Sequence, residues 1–159
     1  MMFTQAEDTI VALASGRGEA GVAVIRLSGA GAFQVLSSVF RAAGDKEMTR
    51  ARLVYGSVMS ATGEVIDDCL AVRMPAPHSF TGEDVAEIQC HGSPAVVSRV
   101  IDRCIEAGAR LAEPGEFSRR AFMNGKMDLA QAEALSDLIA SRSEAARRLA
   151  LRQLRGGLS

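Results

Sequence analysis

The chain has 159 residues, of which 48% are hydrophobic and 23% are charged, so its composition is that of an ordinary globular protein. Its formal net charge of −1 excludes a general basic field, so any contact with RNA must come from a local patch or from another part of an assembly. No stretch approaches the roughly 20 apolar residues of a membrane span, and acidic residues stand near the N-terminus, where a secretory signal carries basic ones. We therefore expect no membrane association.

The first part of the chain alternates between strand and helix patterns. Residues 8–15 form a short apolar run that is typical of a buried strand, and a glycine-rich turn follows at residues 16–21. Residues 22–29, VAVIRLSG, are rich in β-branched side chains and predict a second strand. Alternation in this strand places Ala23, Ile25 and Leu27 on one face and Val22, Val24 and Arg26 on the other. Residues 31–42 have the apolar spacing of a helix that includes Phe40.

The middle of the chain predicts a hairpin, a loop and another strand. Residues 52–59 and 64–74 flank the turn sequence SATG, which is the pattern of two hairpin strands. Residues 75–84, PAPHSFTGED, contain two prolines and a glycine and predict a loop. Residues 85–92 predict a strand whose alternation sets Val85, Glu87 and Gln89 against Ala86, Ile88 and Cys90.

A capped helix and a short strand complete the first domain. Ser93 is a suitable N-cap, Pro94 stands at the first helical position and Gly108 lies just beyond the helix end. Residues 109–113 predict a last short strand. We therefore expect an α+β fold, built on an α/β-type mixed sheet with flanking helices, in a body that extends to about residue 115.

The composition changes after residue 113 and predicts helices. A short helix from residue 114 stops at Gly125, which favours the left-handed conformation of a C-terminal cap, and Asp128 is a natural N-cap for a second helix. A third helix is predicted over residues 143–157, SEAARRLALRQLRGG. The apolar stripes of these helices have little chain left to cover them, so we expect the natural protein to continue past Ser159.

The three cysteines, Cys69, Cys90 and Cys104, are an odd number and lack the spacing of a metal site. Reduced thiols in a cytoplasmic protein are the interpretation that fits them best. Cys90 and His91 are adjacent in a predicted strand, so their side chains point in opposite directions and are badly placed to ligate one metal or to act as nucleophile and base. We expect neither a metal site nor a catalytic group in this chain.

Arg26 and Glu87 are charged residues in the middle of apolar strands, and Lys126 follows the helix break at Gly125. Solvent-facing side chains on a one-sided sheet, and a solvated turn lysine, are the simpler explanation. The alternative is that both strand charges line a pocket floor. There, Glu87 accepts hydrogen bonds from a flat heterocycle, Arg26 holds a carbonyl or carboxylate, and Lys126 meets an anionic tail.

The glycine clusters do not predict nucleotide hydrolysis. The chain contains no G-x-x-x-x-G-K-[ST] sequence, so it has no P-loop, and SGAGAF between a strand and a helix is only a weak dinucleotide-like pattern. The arginine-rich segment 142–155 is by default a solvated helix face, with an RNA-facing or partner-facing surface as the minority interpretation.

Four segments resemble the N-terminal region of the tRNA modification GTPase family called MnmE or TrmE: DTIVALAS, VAVIRLSG, PHSFTGEDVAEIQCHGSP and, above all, PGEFSRRAFMNGKMDLAQAEALSDLI. The resemblance runs through nearly the whole chain from Asp8. It implies a domain at residues 1–117 similar to the tetrahydrofolate-binding domain of glycine-cleavage T-proteins, followed by the start of a helical domain at residues 118–159. By motif position, the family's folate contacts fall on Arg26, Glu87 and Lys126.

The resemblance also implies cofactors and partners. The first domain would form a homodimer and bind 5-formyltetrahydrofolate or 5,10-methylenetetrahydrofolate near the dimer interface. A GTPase domain inserted in the helical domain would use GTP with Mg²⁺ and K⁺, and the FAD-dependent partner MnmG would act with it on C5 of the wobble uridine of tRNA. The chain ends at Ser159 without that GTPase domain, so we expect a fragment that does not hydrolyse GTP. It also has CHGSP where many members carry a glycine-rich HGG string.

Two other functions stay open. The domain could be a dimerising scaffold whose folate site is not functional. It could also be a free-standing one-carbon transferase, although the tail helices have no purpose in such a protein.

Overall fold

The computed structural model describes residues 8–15, 21–45 and 51–156, and most of the glycine-rich turn predicted at 16–21 lies outside these ranges. The strands are β1 Ile10–Leu13, β2 Val22–Ser28, β3 Phe40–Ala42, β4 Val54–Met59, β5 Val65–Met74, β6 Val85–His91 and β7 Arg110–Leu111. The helices are α1 Ala32–Val39, α2 Pro94–Glu106, α3 Glu116–Met123 and α4 Leu129–Gly156, with a 3-10 turn at Ala43–Asp45.

The seven strands form one mixed sheet in the order β3-β4-β5-β6-β2-β1-β7. Neighbouring strands are antiparallel except β1 and β7, which are parallel. The predicted α+β fold is therefore confirmed, including the hairpin of β4 and β5 and the short last strand. The two central strands β2 and β6 pair along their whole lengths, and this register sets the geometry of the candidate site.

The hydrophobic core lies on one face of the sheet, beneath α1 and α2. The predicted alternation is confirmed, because the side chains of Ala23, Ile25 and Leu27 of β2 and of Ala86, Ile88 and Cys90 of β6 are buried there. The helices contribute Val35, Leu36, Val39, Val100 and Cys104 to the same cluster. Full burial of each large aliphatic side chain contributes about 1.5–3 kcal/mol, so this face supplies most of the stability.

The predicted caps of α2 are present. The Ser93 hydroxyl accepts a hydrogen bond from the Val96 amide at 3.2 Å, and Pro94 occupies the first turn. Gly108 has φ of +119° just past the helix end, where the Ala109 amide donates back to the Cys104 carbonyl at 3.1 Å. These contacts satisfy main-chain groups that a helix end leaves unpaired.

Two predicted helix boundaries were wrong. The helix that begins at Ala32 ends at Val39, and Phe40 has the extended φ of −114° because it already pairs with Val58 in the sheet. The two helices predicted after Asp128 are one continuous helix, α4. Residues 129–155 contain neither glycine nor proline, and the serines at 141 and 143, where the break was predicted, lower helix propensity only slightly.

The break between α3 and α4 has the predicted chemistry. Gly125 has φ of +73°, its amide donates to the Phe122 carbonyl, and the Lys126 amide donates to the Ala121 carbonyl at 2.8 Å. This pair of bonds is a Schellman motif. Asp128 then caps α4, since its carboxylate accepts from the Gln131 amide at 2.8 Å while the Gln131 side chain accepts from the Asp128 amide at 2.9 Å.

The helix α3 spans the domain boundary predicted at residues 117 and 118, and that division remains a prediction. Four residues of α3 are buried, namely Glu116, Ser118, Arg120 and Ala121. On α4, Leu129, Leu138 and Leu151 are exposed. Among the helices that the structure describes, none combines the length and apolarity needed to cross a bilayer.

Candidate functional site

Arg26 and Glu87 face each other across the central strand pair. The register of β2 and β6 places them directly opposite, on the side of the sheet away from α1 and α2. The Arg26 Nε donates a hydrogen bond to Glu87 Oε2 at 2.8 Å. Two charges that are 61 residues apart in the sequence thus form one ion pair on the second face of the sheet.

Two aromatic rings cover this ion pair. The Arg26 guanidinium carbon lies 4.9 Å from the ring centre of Phe80 in the loop 75–84 and 5.4 Å from that of Phe117 in α3. The side chains of Arg26 and Glu87 are only 21% and 17% exposed. Neither is therefore the freely solvated strand residue of the simpler explanation, and the guanidinium gains cation–π attraction from both rings.

The ion pair retains hydrogen-bonding capacity. Within the described residues, no group bonds to Glu87 Oε1 or to the Nη atoms of Arg26, so an acceptor and several donors remain side by side. A flat molecule with a neighbouring donor and acceptor on one edge matches this pattern. The role of Arg26 and Glu87 in folate binding stays a prediction.

Lys126 reaches the same region from a different element. Its stem packs over Gly82 in the loop 75–84, where a Cβ on Gly82 would lie 3.1 Å from the Lys126 Cγ. Position 82 favours glycine for two reasons: a Cβ would be crowded there, and its φ of +81° lies in the left-handed region. Lys126 is exposed, and its contact with Gly82 places it beside the loop that carries Phe80.

A network of charges centred on the buried Glu116 and Arg120 links α3 to the sheet and to the loop 75–84. Glu116 is 2% exposed, and its carboxylate accepts from the Arg110 guanidinium at 2.8 and 3.1 Å and from Arg120 at 3.2 Å. The Glu113 amide donates to the same carboxylate at 2.9 Å. Burial alone would raise the pKa of Glu116, but these hydrogen bonds and the two arginine charges lower it to about 2.

Arg120 continues the network into the loop 75–84. Its Nη1 atom donates to both carboxylate oxygens of Glu83, at 3.2 and 3.4 Å. The Ser28 hydroxyl, at the end of β2, donates to Glu83 Oε1 at 2.7 Å and lies 2.7 Å from the Thr81 hydroxyl. The Asn124 side chain donates to the Thr81 carbonyl at 2.9 Å. The loop is thus held from both sides by polar contacts that are buried or partly buried.

Sequence patterns predict no functional role for these network residues. Glu83 lies in SFTGED, and Glu116 and Arg120 lie in PGEFSRRAF, two of the strings that carried the family resemblance. Glu116 and Arg120 are one helical turn apart, which is the spacing of an intrahelical ion pair. That spacing indicates the pair, but it does not indicate that the pair is buried.

The cysteines and His91 do not form a reactive group. Burial raises the pKa of Cys69 and of Cys104 to about 12 and that of Cys90 to about 11, so all three thiols stay protonated near neutral pH. Exposed His91 lies at the other face from Cys90, with its Nδ1 2.7 Å from Asp67. The residues that the structure describes include no cluster of three or more metal-ligating side chains.

The glycine pattern at SGAG has a packing explanation. A Cβ on Gly29 would lie 2.8 Å from the Cα of Thr9, and the Gly31 amide donates to the Thr9 hydroxyl at 2.8 Å. The amide of the N-cap residue of α1 is therefore already satisfied by Thr9, which immediately precedes β1. This arrangement accounts for the glycines without a phosphate ligand.

Comparison with known proteins identifies the family of these motifs. Residues 9–126 match the family model described as the GTP-binding protein TrmE N-terminus. The tRNA modification GTPase MnmE of Symbiobacterium thermophilum is 49% identical over 96% of this chain and 34% of its own length. The corresponding proteins of Geobacter sulfurreducens and Aromatoleum aromaticum are 50% and 51% identical, again over 96% of this chain. The chain spans about a third of the length of these curated relatives.

Proposed function

The chain belongs to the TrmE N-terminal family, and from this premise we propose that it binds a one-carbon tetrahydrofolate for the modification of tRNA. The observation that carries the proposal is the Arg26–Glu87 pair beneath Phe80 and Phe117. Its unused donors and acceptor fit the edge of a pteridine ring, which presents N–H donors beside a carbonyl acceptor. The ligand would be 5-formyltetrahydrofolate or 5,10-methylenetetrahydrofolate.

Each charged residue has a separate part in the proposed site. Glu87 Oε1 would accept from the ring or amino N–H groups, and the Arg26 Nη atoms would donate to the ring carbonyl. Lys126, displayed from the short turn between α3 and α4, would meet the carboxylates of the glutamate tail. The folate supplies the one-carbon unit, while the protein binds and orients it.

Assembly with other chains completes the proposal. We expect a homodimer, because exposed apolar side chains remain on and beside the sheet, namely Val22, Leu53, Tyr55 and Val65. An interface of standard size would bury on the order of 1,600 Å². The FAD-dependent partner MnmG, the tRNA wobble uridine, and a GTP site with Mg²⁺ and K⁺ belong to the larger assembly, and this chain alone should not turn over GTP.

Light scattering tests the dimer directly. The expected mass in solution is twice the 16.8 kDa of one chain. A mass that stays at one chain when the protein is concentrated would contradict dimerisation, and the Tyr55→Asp variant should shift the dimer toward the monomer.

The rival function is a scaffold that dimerises without binding folate. The same exposed apolar side chains would serve that function equally well. Isothermal titration with 5-formyltetrahydrofolate separates the two, with p-aminobenzoylglutamate as a matched ligand that keeps the tail and lacks the pteridine. Saturable binding of the folate with much weaker binding of the fragment supports the proposal. No heat above dilution for either ligand would favour the scaffold.

A further inference from the structure

The loop 75–84 has an anchor formed by the buried Thr81 and the partly buried Glu83. The Thr81 side chain is fully buried, and its hydroxyl accepts from the Glu83 amide at 3.2 Å. The Ser28 hydroxyl bonds to Glu83 and lies within hydrogen-bond distance of Thr81. The end of β2 therefore holds the loop from beneath.

Helix α3 holds the same anchor from the other side. Arg120 is 3% exposed and bridges the carboxylates of Glu83 and Glu116, while Asn124 donates to the Thr81 carbonyl. A Cβ on Gly82 would lie 2.9 Å from the Cβ of Asn124, so loop and helix are in close contact. The Glu83–Arg120 pair is the charged part of this connection.

The groups of the candidate site that would face a ligand flank the anchor. Phe80, which stacks on Arg26, immediately precedes Thr81 in the chain. The stem of Lys126 rests on Gly82, between Thr81 and Glu83. The positions of the aromatic cover and of the cationic side chain therefore both depend on the conformation of residues 80–83.

We propose that the Glu83–Arg120 pair positions Phe80 and Lys126 for binding of the folate, a role that rests on the function proposed above. The Arg120 guanidinium is 3% exposed and pairs with both Glu83 and Glu116, whereas the Glu83 side chain is 19% exposed. Moving the loop away from α3 would therefore remove one of the two carboxylates that compensate a buried guanidinium. The pair therefore restricts the loop to the conformation in which Phe80 covers Arg26. Glu83 and Arg120 act through the loop and need not touch the ligand.

The chain offers a clean probe of this conformation because it contains no tryptophan. In a Phe80→Trp background, the single indole reports on the position of the loop, and its fluorescence can be quenched with acrylamide. Glu83→Gln then removes the charge while it keeps the size of the side chain and an acceptor for Ser28. We expect the quenching constant to rise about twofold and the Kd for 5-formyltetrahydrofolate to rise about tenfold, as the loss of one charge-assisted bond would produce.

Three further variants separate positioning from simple stabilisation. Glu113→Gln makes the same charge change at an exposed ion pair with Arg119 and should alter neither signal. Val100→Ala opens a cavity beneath the opposite face of the sheet and should lower the melting temperature without changing quenching or affinity. Arg120→Lys should retain part of the folate affinity that Arg120→Gln loses. The lysine ammonium keeps the positive charge but lacks the paired N–H donors of the guanidinium.

Unchanged quenching in Glu83→Gln would overturn the proposal. Equal losses of affinity in Glu83→Gln and Val100→Ala, at equal losses of melting temperature, would overturn it too, since stability alone would then explain the effect. If the Phe80→Trp reference and the wild type bind no 5-formyltetrahydrofolate, the proposed function fails. Acrylamide quenching in the Phe80→Trp background would still show whether Glu83 and Arg120 hold residue 80 over Arg26.

Discussion

The two faces of the sheet have opposite chemistry although the same strands form both. On the face beneath α1 and α2, the central strands present Ala23, Ile25, Leu27, Ala86, Ile88 and Cys90. On the other face, beneath α3 and the loop 75–84, the same strands present Arg26, Glu87 and the hydroxyl of Ser28. The first face stabilises the fold by burying apolar side chains. On the second face, desolvation of polar and charged groups lowers stability, but their contacts define a site.

Removal of core volume should produce the largest loss of stability. Ile88→Ala deletes a fully buried side chain from the first face and should lower the free energy of unfolding by about 3–4 kcal/mol. Ser98→Ala, at an exposed position of α2 outside the expected dimer interface, should change it by less than about 0.5 kcal/mol. Urea denaturation of both variants measures the difference. A small effect in Ile88→Ala would contradict the assignment of the core to this face.

The buried Glu116 should make the free energy of unfolding depend on pH in the acidic range. The pKa of Glu116 is lowered in the folded chain to about 2, against an ordinary value of 4.5. Its ionised form therefore stabilises the fold fully above pH 4.5, and this contribution, about 3 kcal/mol, is lost as the pH falls toward 2. Glu116→Gln should cost about that much at neutral pH and should flatten the profile between pH 4.5 and 2.

The matched control for that profile is Glu113→Gln, which removes a carboxylate from the exposed part of the same segment. It should leave both the stability at neutral pH and the acid limb of the profile nearly unchanged. If Glu116→Gln unfolds in acid along the same curve as the wild type, the buried network does not contribute as described.

Changes to the second face should affect the ligand more than the fold. Glu87→Gln keeps the shape of the side chain but removes the ionised acceptor, and we expect the folate affinity to fall by about 2 kcal/mol. Asp68→Asn makes the same change at an exposed position of β5, where the carboxylate bonds to Ser57, and should leave affinity unchanged. Calorimetry with thermal melts as a control distinguishes a lost contact from a lost fold.

The smallest effect should come from the turn lysine. Because Lys126 is exposed, its attraction to an anionic tail is screened by water and salt. Lys126→Ala should weaken folate binding about fivefold at low ionic strength and less at high ionic strength, while Lys126→Arg should retain most of the affinity. An effect that does not vary with salt would indicate that Lys126 meets the ligand in a drier setting.

Local patterns predicted much of this architecture. Alternation in β2 and β6 assigned each side chain to its face, and Gly125 and Asp128 marked the helix ends, because these features depend on a few neighbouring residues. The direct pairing of Arg26 with Glu87 is different. It depends on the order and register of strands far apart in the chain, which local periodicity does not encode.

The buried network escaped prediction for a related reason. Glu116 and Arg120 have the spacing of a surface ion pair, and only the packing of α3 against β7 and the loop removes them from water. Phe40 shows the same limit at the end of α1. Its apolar side chain continues the helical spacing, but Phe40 takes the extended conformation because it pairs with Val58 in the sheet.

The most direct test of the account is to map the ligand onto the two faces by NMR. On addition of 5-formyltetrahydrofolate to the isotopically labelled chain, we expect the largest shifts at the Nε–H group of Arg26 and at the amides of residues 80–82 and 126. Signals from α1 and α2 should move little. No perturbation at any concentration of ligand, or shifts confined to α1 and α2, would contradict the assignment of the second face as the folate site.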